Sequence, residues 1–265
     1  MNLDLAGKKA IVTGGSSGIG YSCAAALRVE GVGVLLAALP DGLEVAAGRL
    51  RELPSPAPAA EVAAVPCDLR LPDDIERVVH TALERLGAID ILINCAGAAQ
   101  AGSFLNLPDG AFLDAWTLKL LGYIRMVRAV APLMIKRRDG RIVNIVGASG
   151  RSPSPTLLPV GTTNAALLNF TRGIARELAP YNVRINAISP GPTATPRAEQ
   201  LAQQTAEARG IPLAEARAEM AQSLPLGRMV EPNEVAAMAV MLVSDRCASI
   251  TGTEILIDAG STSAL

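Results

Sequence analysis

The chain has 265 residues, with 24 Lys and Arg against 25 Asp and Glu, a formal charge of −1, and half of its residues are apolar. That balance leaves no cationic excess to neutralise phosphates, which excludes sequence-independent binding to nucleic acid. The apolar share excludes a disordered chain and suffices for one sizeable core.

Met1 to Lys9 carries Asp4 and two lysines just before a strand-like run. It lacks the basic start, apolar centre and cleavage site of a signal peptide. The charge-free stretches Ala10 to Leu27 and Ile91 to Pro108 are broken by Gly, Asn, Ser or Gln, so no transmembrane helix is predicted and a cytoplasmic protein is expected. Strand-like runs then follow at Lys9 to Thr13, Gly33 to Ala38, Glu61 to Cys67, Ile89 to Asn94, Arg141 to Val146, Val183 to Ile188 and Glu254 to Ile257, separated by longer segments of helical period. Their Val, Ile and Leu content suits strands covered on both faces by crossover helices, which predicts an α/β doubly wound fold with a parallel sheet. The Pro-rich piece Leu53 to Pro58 is short enough for one helix-to-strand connection, so a single domain is read over 1–265. Thr193 to Leu224, rich in Ala, Gln, Glu and Arg, reads as a helical excursion over the sheet edge and a substrate lid.

The four cysteines, Cys23, Cys67, Cys95 and Cys247, are isolated from one another, and the one histidine, His80, lies in the helical run Asp73 to Leu86 among Arg and Glu. Disulfide frameworks, zinc sites and a serine-hydrolase triad are therefore disfavoured. Directly after the first strand comes Thr13-Gly14-Gly15-Ser16-Ser17-Gly18-Ile19-Gly20, then the helical Tyr21 to Arg28. Glycines between a strand and a helix permit positive φ and close backbone approach, and the helix start attracts a pyrophosphate, so this turn reads as a dinucleotide cradle.

These residues, with Asp68-Leu69, Asn94-Cys95-Ala96-Gly97 and Pro190-Gly191-Pro192-Thr193, resemble the short-chain dehydrogenase/reductase family over essentially the whole chain. The resemblance implies that Gly14, Ser16, Ser17, Gly18, Ile19 and Gly20 hold the coenzyme diphosphate. It implies that Asp68 and Leu69 meet the adenine side, and that Asn94, Ala96 and Gly97 lie beneath the nicotinamide side, with Pro190, Gly191 and Thr193 near its amide. Asp258-Ala259-Gly260 looks like the family's C-terminal D-G-G motif. The resemblance also implies a homo-oligomer, dimer or tetramer, formed through Asp109 to Arg137, Thr162 to Leu178 and the C-terminal strand.

The family's Asn, Ser, Tyr, Lys tetrad aligns without gaps onto Lys119, Gly147, Val160 and Asn164, so all four members are replaced. The Asn and Lys positions look exchanged. Phe112, Trp116, Lys119, Tyr123, Met126, Val130 and Leu133 step by 4 and 3 along one face of a helix, and Asn164, Leu168, Thr171, Ala175 and Leu178 form a second stripe. Both polar groups should then point inward. A buried ammonium has a lowered pKa, which suits proton transfer near neutrality, so Lys119 is read as the reacting cation and Asn164 as the group that orients it or the nicotinamide ribose. Ser149, Ser152, Ser154, Thr162 and Thr163 are hydroxyls near the vacant tetrad. Pro153, Pro155 and Pro159 predict a stiff, nonhelical wall over Gly147 to Val160, and Arg151 and Arg197 are read as solvated rather than substrate-binding.

At the end of the second strand stand Ala38 and Leu39, where an acidic residue would select NAD and a basic one NADP. Asp41 is near enough to substitute, so NAD is favoured over NADP by a narrow margin. The readings in order are an NAD(P)-dependent oxidoreductase on a small carbonyl or alcohol with an altered proton donor, an inactive binding or regulatory subunit, and a non-redox lyase or hydrolase on the same scaffold. Fold alone does not choose among them.

Overall fold

The computed structural model describes residues 2–57, 60–98 and 100–262. Seven parallel strands form one sheet in the order β3-β2-β1-β4-β5-β6-β7. They are β1 (Lys9–Thr13), β2 (Gly33–Ala38), β3 (Val62–Pro66), β4 (Ile91–Asn94), β5 (Gly140–Ile145), β6 (Val183–Pro190) and β7 (Glu254–Ile257). Between them run the helices α1 (Gly18–Val29), α2 (Leu43–Arg51), α3 (Pro72–Leu86), α4 (Asp109–Ala115), α5 (Gly122–Arg137), α6 (Leu158–Leu178), α7 (Pro196–Arg209), α8 (Leu213–Gln222) and α9 (Pro232–Val243).

Strand residues alternate between two cores, because successive side chains leave opposite faces of the sheet. Ala10, Val12, Val34, Leu36, Ile91 and Ile93 join Leu27 of α1 and Val235 and Ala239 of α9. Ile11, Leu35, Leu92 and Ile142 join Val78 of α3, Met126 and Val130 of α5 and Leu167 of α6. Apolar central strands follow from this arrangement, since neither face of the central sheet meets water. Strand order reverses between β1 and β4, and at such a switch point the loops after the two strands diverge and leave a crevice at their carboxyl ends.

Three expectations need correction. The strands at Glu61, Ile89, Arg141 and Val183 differ from the observed bounds by one or two residues, except that β6 starts as read and runs on to Pro190 by pairing with β7. The first helix begins at Gly18, ahead of Tyr21. The wall over Gly147 to Val160 is not all nonhelical: Pro159 occupies the first turn of α6, where its missing N–H has no intrahelical partner to lose. Pro58, the last residue of the Leu53 to Pro58 connection, lies outside the described residues. His80 is exposed beside Glu84, on a solvated face as read.

Candidate functional site

The β1–α1 turn is built by backbone crowding. Gly14 has φ +64°, its N–H donates to the Ala37 carbonyl at 2.7 Å, and a Cβ added to it would lie 2.8 Å from the Ala96 backbone. A Cβ on Gly20 would run into the Gly14 carbonyl. The turn therefore folds only with hydrogen at these positions, and it ends on the α1 N-terminus with no acidic residue in the first turn. Ser17 is the N-cap residue yet its hydroxyl makes no cap hydrogen bond. Ser16, Gly18 and Ile19 are half-buried and Ser17 is exposed at the same lip. Free helix-start amides, the helix dipole and the lack of a carboxylate in the first turn fit a diphosphate.

Thr13, fully buried, accepts from the N–H of Cys95 at 3.0 Å and of Ala96 at 3.4 Å, and so ties the end of β4 against the glycine turn. Asn94 is buried in β4 and its amide donates to Asn144 Oδ1 at 3.0 Å, while Gly97 is exposed at the crevice. On the other side, Pro190 ends β6, Gly191 packs so close to Asp258 that a Cβ would lie 2.8 Å from its Cα, and the Thr193 hydroxyl donates to the Gly191 carbonyl at 2.9 Å. Asp68 is half-buried just past the end of β3. Arg70 takes both of its carboxylate oxygens, and this hydrogen-bonded guanidinium holds the carboxyl below its usual range. Leu69 is buried and lies against Gly122.

Lys119 and Asn164 meet. The ammonium, with only 8% of its residue exposed, donates to Asn164 Oδ1 at 2.9 Å and to the Val146 carbonyl, and its stem lies along Gly97. Two of its three donors are used, leaving one. Burial pulls its pKa down to about 8, against a counteracting influence from Cys95 and reinforced by the Arg197 guanidinium. Burial likewise pushes the Cys95 thiol up to about 12. Asn164 in turn donates through Nδ2 to Ser149 Oγ at 2.9 Å.

The helical stripe that points to Lys119 holds only in part. Lys119, Tyr123, Met126 and Val130 are buried, but Trp116 is exposed and Leu133 half-buried, because Trp116–Leu121 is a π-helical segment between α4 and α5. Its wider turn shifts the phase between the two helices, so no single α-helical stripe spans both. The second stripe, Asn164 to Leu178, is buried throughout. Arg151 is not a solvated arginine: its Nε contacts the Glu254 carboxylate at 2.6 Å, and that carboxylate also accepts from Ser189 Oγ at 2.7 Å. Arg197 is exposed and reaches the Gly97 carbonyl at 3.5 Å. Thr195, just before α7, packs on Gly18, so the excursion over 193–224 starts directly above the glycine turn. Thr13 and Ser149 carry contacts that periodicity did not single out. Thr13 sits inside the glycine motif itself, whereas nothing local to Ser149 marks it among neighbouring hydroxyls.

A family profile described as Enoyl-(Acyl carrier protein) reductase matches residues 14–262. Oxidoreductase UcpA of Escherichia coli (strain K12) is 34% identical over 259 residues, covering 97% of this chain and 95% of that protein. L-Sorbose reductase from Gluconobacter frateurii, in a crystal structure with NADPH and L-sorbose, superposes with TM-score 0.94 at 29% identity, over 100% of this chain and 100% of that one. An NAD+-bound xylitol dehydrogenase superposes with TM-score 0.87 at 28% identity, over 96% of this chain and 98% of that one. Sequence and structure thus agree along nearly the whole length, and the chain belongs to the short-chain dehydrogenase/reductase family.

Proposed function

We propose that the protein is a nicotinamide-dinucleotide-dependent oxidoreductase that transfers hydride to or from a small carbonyl or alcohol, with Lys119 and Asn164 in place of the family's usual proton-handling groups. The observation that carries this reading is the buried Lys119–Asn164 contact of 2.9 Å at the carboxyl edge of the sheet, beside Gly97. A bare cation without a carboxylate partner is costly to bury, and a site that develops alkoxide charge is one place where it lowers the barrier.

When bound, the coenzyme supplies or accepts the hydride. Gly14, Ser16, Ser17, Gly18, Ile19 and Gly20 hold its diphosphate by backbone amides and the α1 dipole. Asp68 and Leu69 border the adenine side, and Asn94, Ala96, Gly97, Pro190, Gly191 and Thr193 the nicotinamide side. Lys119 faces developing negative charge with its remaining N–H, and Asn164 fixes its direction. The segment 193–224 covers the substrate as a lid over one single-domain scaffold, and a second copy of the chain covers the exposed Leu113, Trp116 and Leu121 of the stretch Asp109 to Arg137.

NAD is favoured over NADP narrowly. Leu39, 56% exposed at the end of β2, offers neither a carboxylate to repel a 2′-phosphate nor a cation to hold it, and Asp41 is the nearest acid along the chain. Relatives with NADPH and with NAD+ keep both coenzymes in play. Titration with NADH and with NADPH, followed by nicotinamide fluorescence, tests the reading: saturable binding of either, abolished by Gly20→Val, is expected, and no binding at millimolar coenzyme overturns it.

A further inference from the structure

Ser149 lies in a short turn, Ala148–Gly150, just past the end of β5 and is half-buried. The ammonium of Lys119 has only donors, so the amide oxygen of Asn164 must face it. The amide NH2 therefore faces Ser149 Oγ, at 2.9 Å, and Ser149 accepts. Among the described residues no protein group takes the Ser149 proton in return. Of the other hydroxyls of this region, Thr162 donates to Leu158 O at 2.9 Å, Thr163 to Pro159 O at 2.8 Å, Ser154 pairs with Thr156 at 3.0 Å, and Ser152 is exposed; among the described residues only Ser149 receives the Asn164 amide. Gly147 cannot supply a hydroxyl instead. Its φ is +129°, and a Cβ there would lie 2.7 Å from Asn164 Nδ2.

We propose that Ser149 is the hydroxyl that donates its proton to the oxygen of the reacting carbonyl, turned outward because Asn164, anchored by Lys119, donates to its Oγ. The proposal rests on the hydride-transfer reading of this cleft and assigns the proton transfer within it to Ser149, with Lys119 and Asn164 in support. As the carbonyl carbon receives hydride from a reduced nicotinamide dinucleotide, the carbonyl π pair moves onto oxygen and takes the Ser149 proton, which yields the alcohol. Water reaching the half-buried side chain returns the proton to Oγ. An amide does not readily pass protons, so Lys119 acts through Asn164 as a fixed charge that polarises the chain and eases transient charge on Oγ. Asn164 is then a positioning residue for Ser149.

The test compares wild type, Ser149→Ala, Ser149→Thr and Asn164→Asp. The carboxylate introduced by Asn164→Asp would keep an acceptor toward Lys119 but turn a second acceptor toward Ser149 and draw its proton inward. Difference infrared spectra are recorded on ethyl acetoacetate carrying 13C at the keto carbon, with the oxidised coenzyme present so that no turnover occurs. Reduction of the same ester by NADH and NADPH is measured alongside. Wild type and Ser149→Thr should move the keto stretch to lower frequency. Ser149→Ala and Asn164→Asp should lose that shift and about 100-fold in kcat, while Ser149→Ala keeps its coenzyme affinity. An unchanged shift and rate in Ser149→Ala, or no shift in a wild type that binds coenzyme, overturns the role of Ser149. A wild type that binds neither coenzyme overturns the underlying reading of the cleft instead.

Discussion

Lys119 carries a burial cost that an apolar side chain in its place would not, and that cost is measurable through pH. Its pKa is lowered from 10.5 to about 8 by desolvation. Below pH 8 the ammonium is charged in folded and unfolded chains alike, and the penalty of burying it is fully present. Between pH 8 and 10.5 the unfolded chain holds on this lysine a proton that the folded one has released, so the contribution of Lys119 to stability rises with pH through that window. Burial of the Cys23, Cys67 and Cys95 thiols acts in the opposite sense above pH 9, so the reading is the difference between wild type and Lys119→Met: wild type should gain about 3 kcal/mol relative to the variant in urea unfolding between about pH 7 and about pH 10.5. The same substitution should lower turnover at least about 100-fold on any substrate the wild type accepts, because it removes the cation opposite the developing alkoxide. Gly147→Ser makes the opposite kind of test. A side chain at φ +129° that presses on Asn164 should cost about 1–3 kcal/mol in urea unfolding and detach Asn164 from Ser149.

Elements explain why these residues meet. The π-helical segment Trp116–Leu121 sets the phase that turns Lys119 inward ahead of Tyr123, while Trp116 turns outward and donates to Thr162 at 3.1 Å. Local periodicity found the inward face of α5 and of α6, since apolar stripes there follow 3.6 residues per turn; it could not find the π turn, because an i to i+5 hydrogen bond leaves no compositional mark. The loop after β5 depends on contacts far along the chain. Glu254, with 3% of its side chain exposed, joins Arg151 of that loop to Ser189 of β6. Glu254→Ala leaves the Ser189 hydroxyl and the partly covered guanidinium without their acceptor. We expect a loss of about 2 kcal/mol in urea unfolding and a weaker hold on the Ser149 turn. Arg151 looked solvated in the sequence because Glu254 lies about a hundred residues away, beyond any spacing rule.

Across the whole molecule, stability is uneven. Every residue of β6 is buried, whereas α7 and α8 bury little beyond Ala202, Ala206 and Ala216 and are joined to each other by exposed ion pairs, Arg209–Glu219 and Arg217–Glu199. Exposed pairs of this kind contribute little, so the two helices should open locally without global unfolding. Amide exchange over 196–222 should be at least about 100-fold faster than over 183–190 and should slow when coenzyme is added. Equal protection of the two segments would remove the lid assignment.

The succession of strands along the chain, the two-faced burial of the sheet and the glycine turn were written in local sequence. Apolar Val, Ile and Leu runs tolerate burial on both sides, and only glycine fits the crowded backbone at Gly14 and Gly20. The pairing of Lys119 with Asn164 was legible in the exchanged tetrad positions and the two helical stripes, whereas the tie to Ser149 was decided by the tertiary structure. Lys119, Asn164 and Ser149 come from a π segment, a helix and a turn that the crossovers bring to one edge of the sheet, and the direction of each hydrogen bond follows from an ammonium that can only donate. Such directions depend on neighbours in space, and neighbours in space are what a linear pattern does not carry.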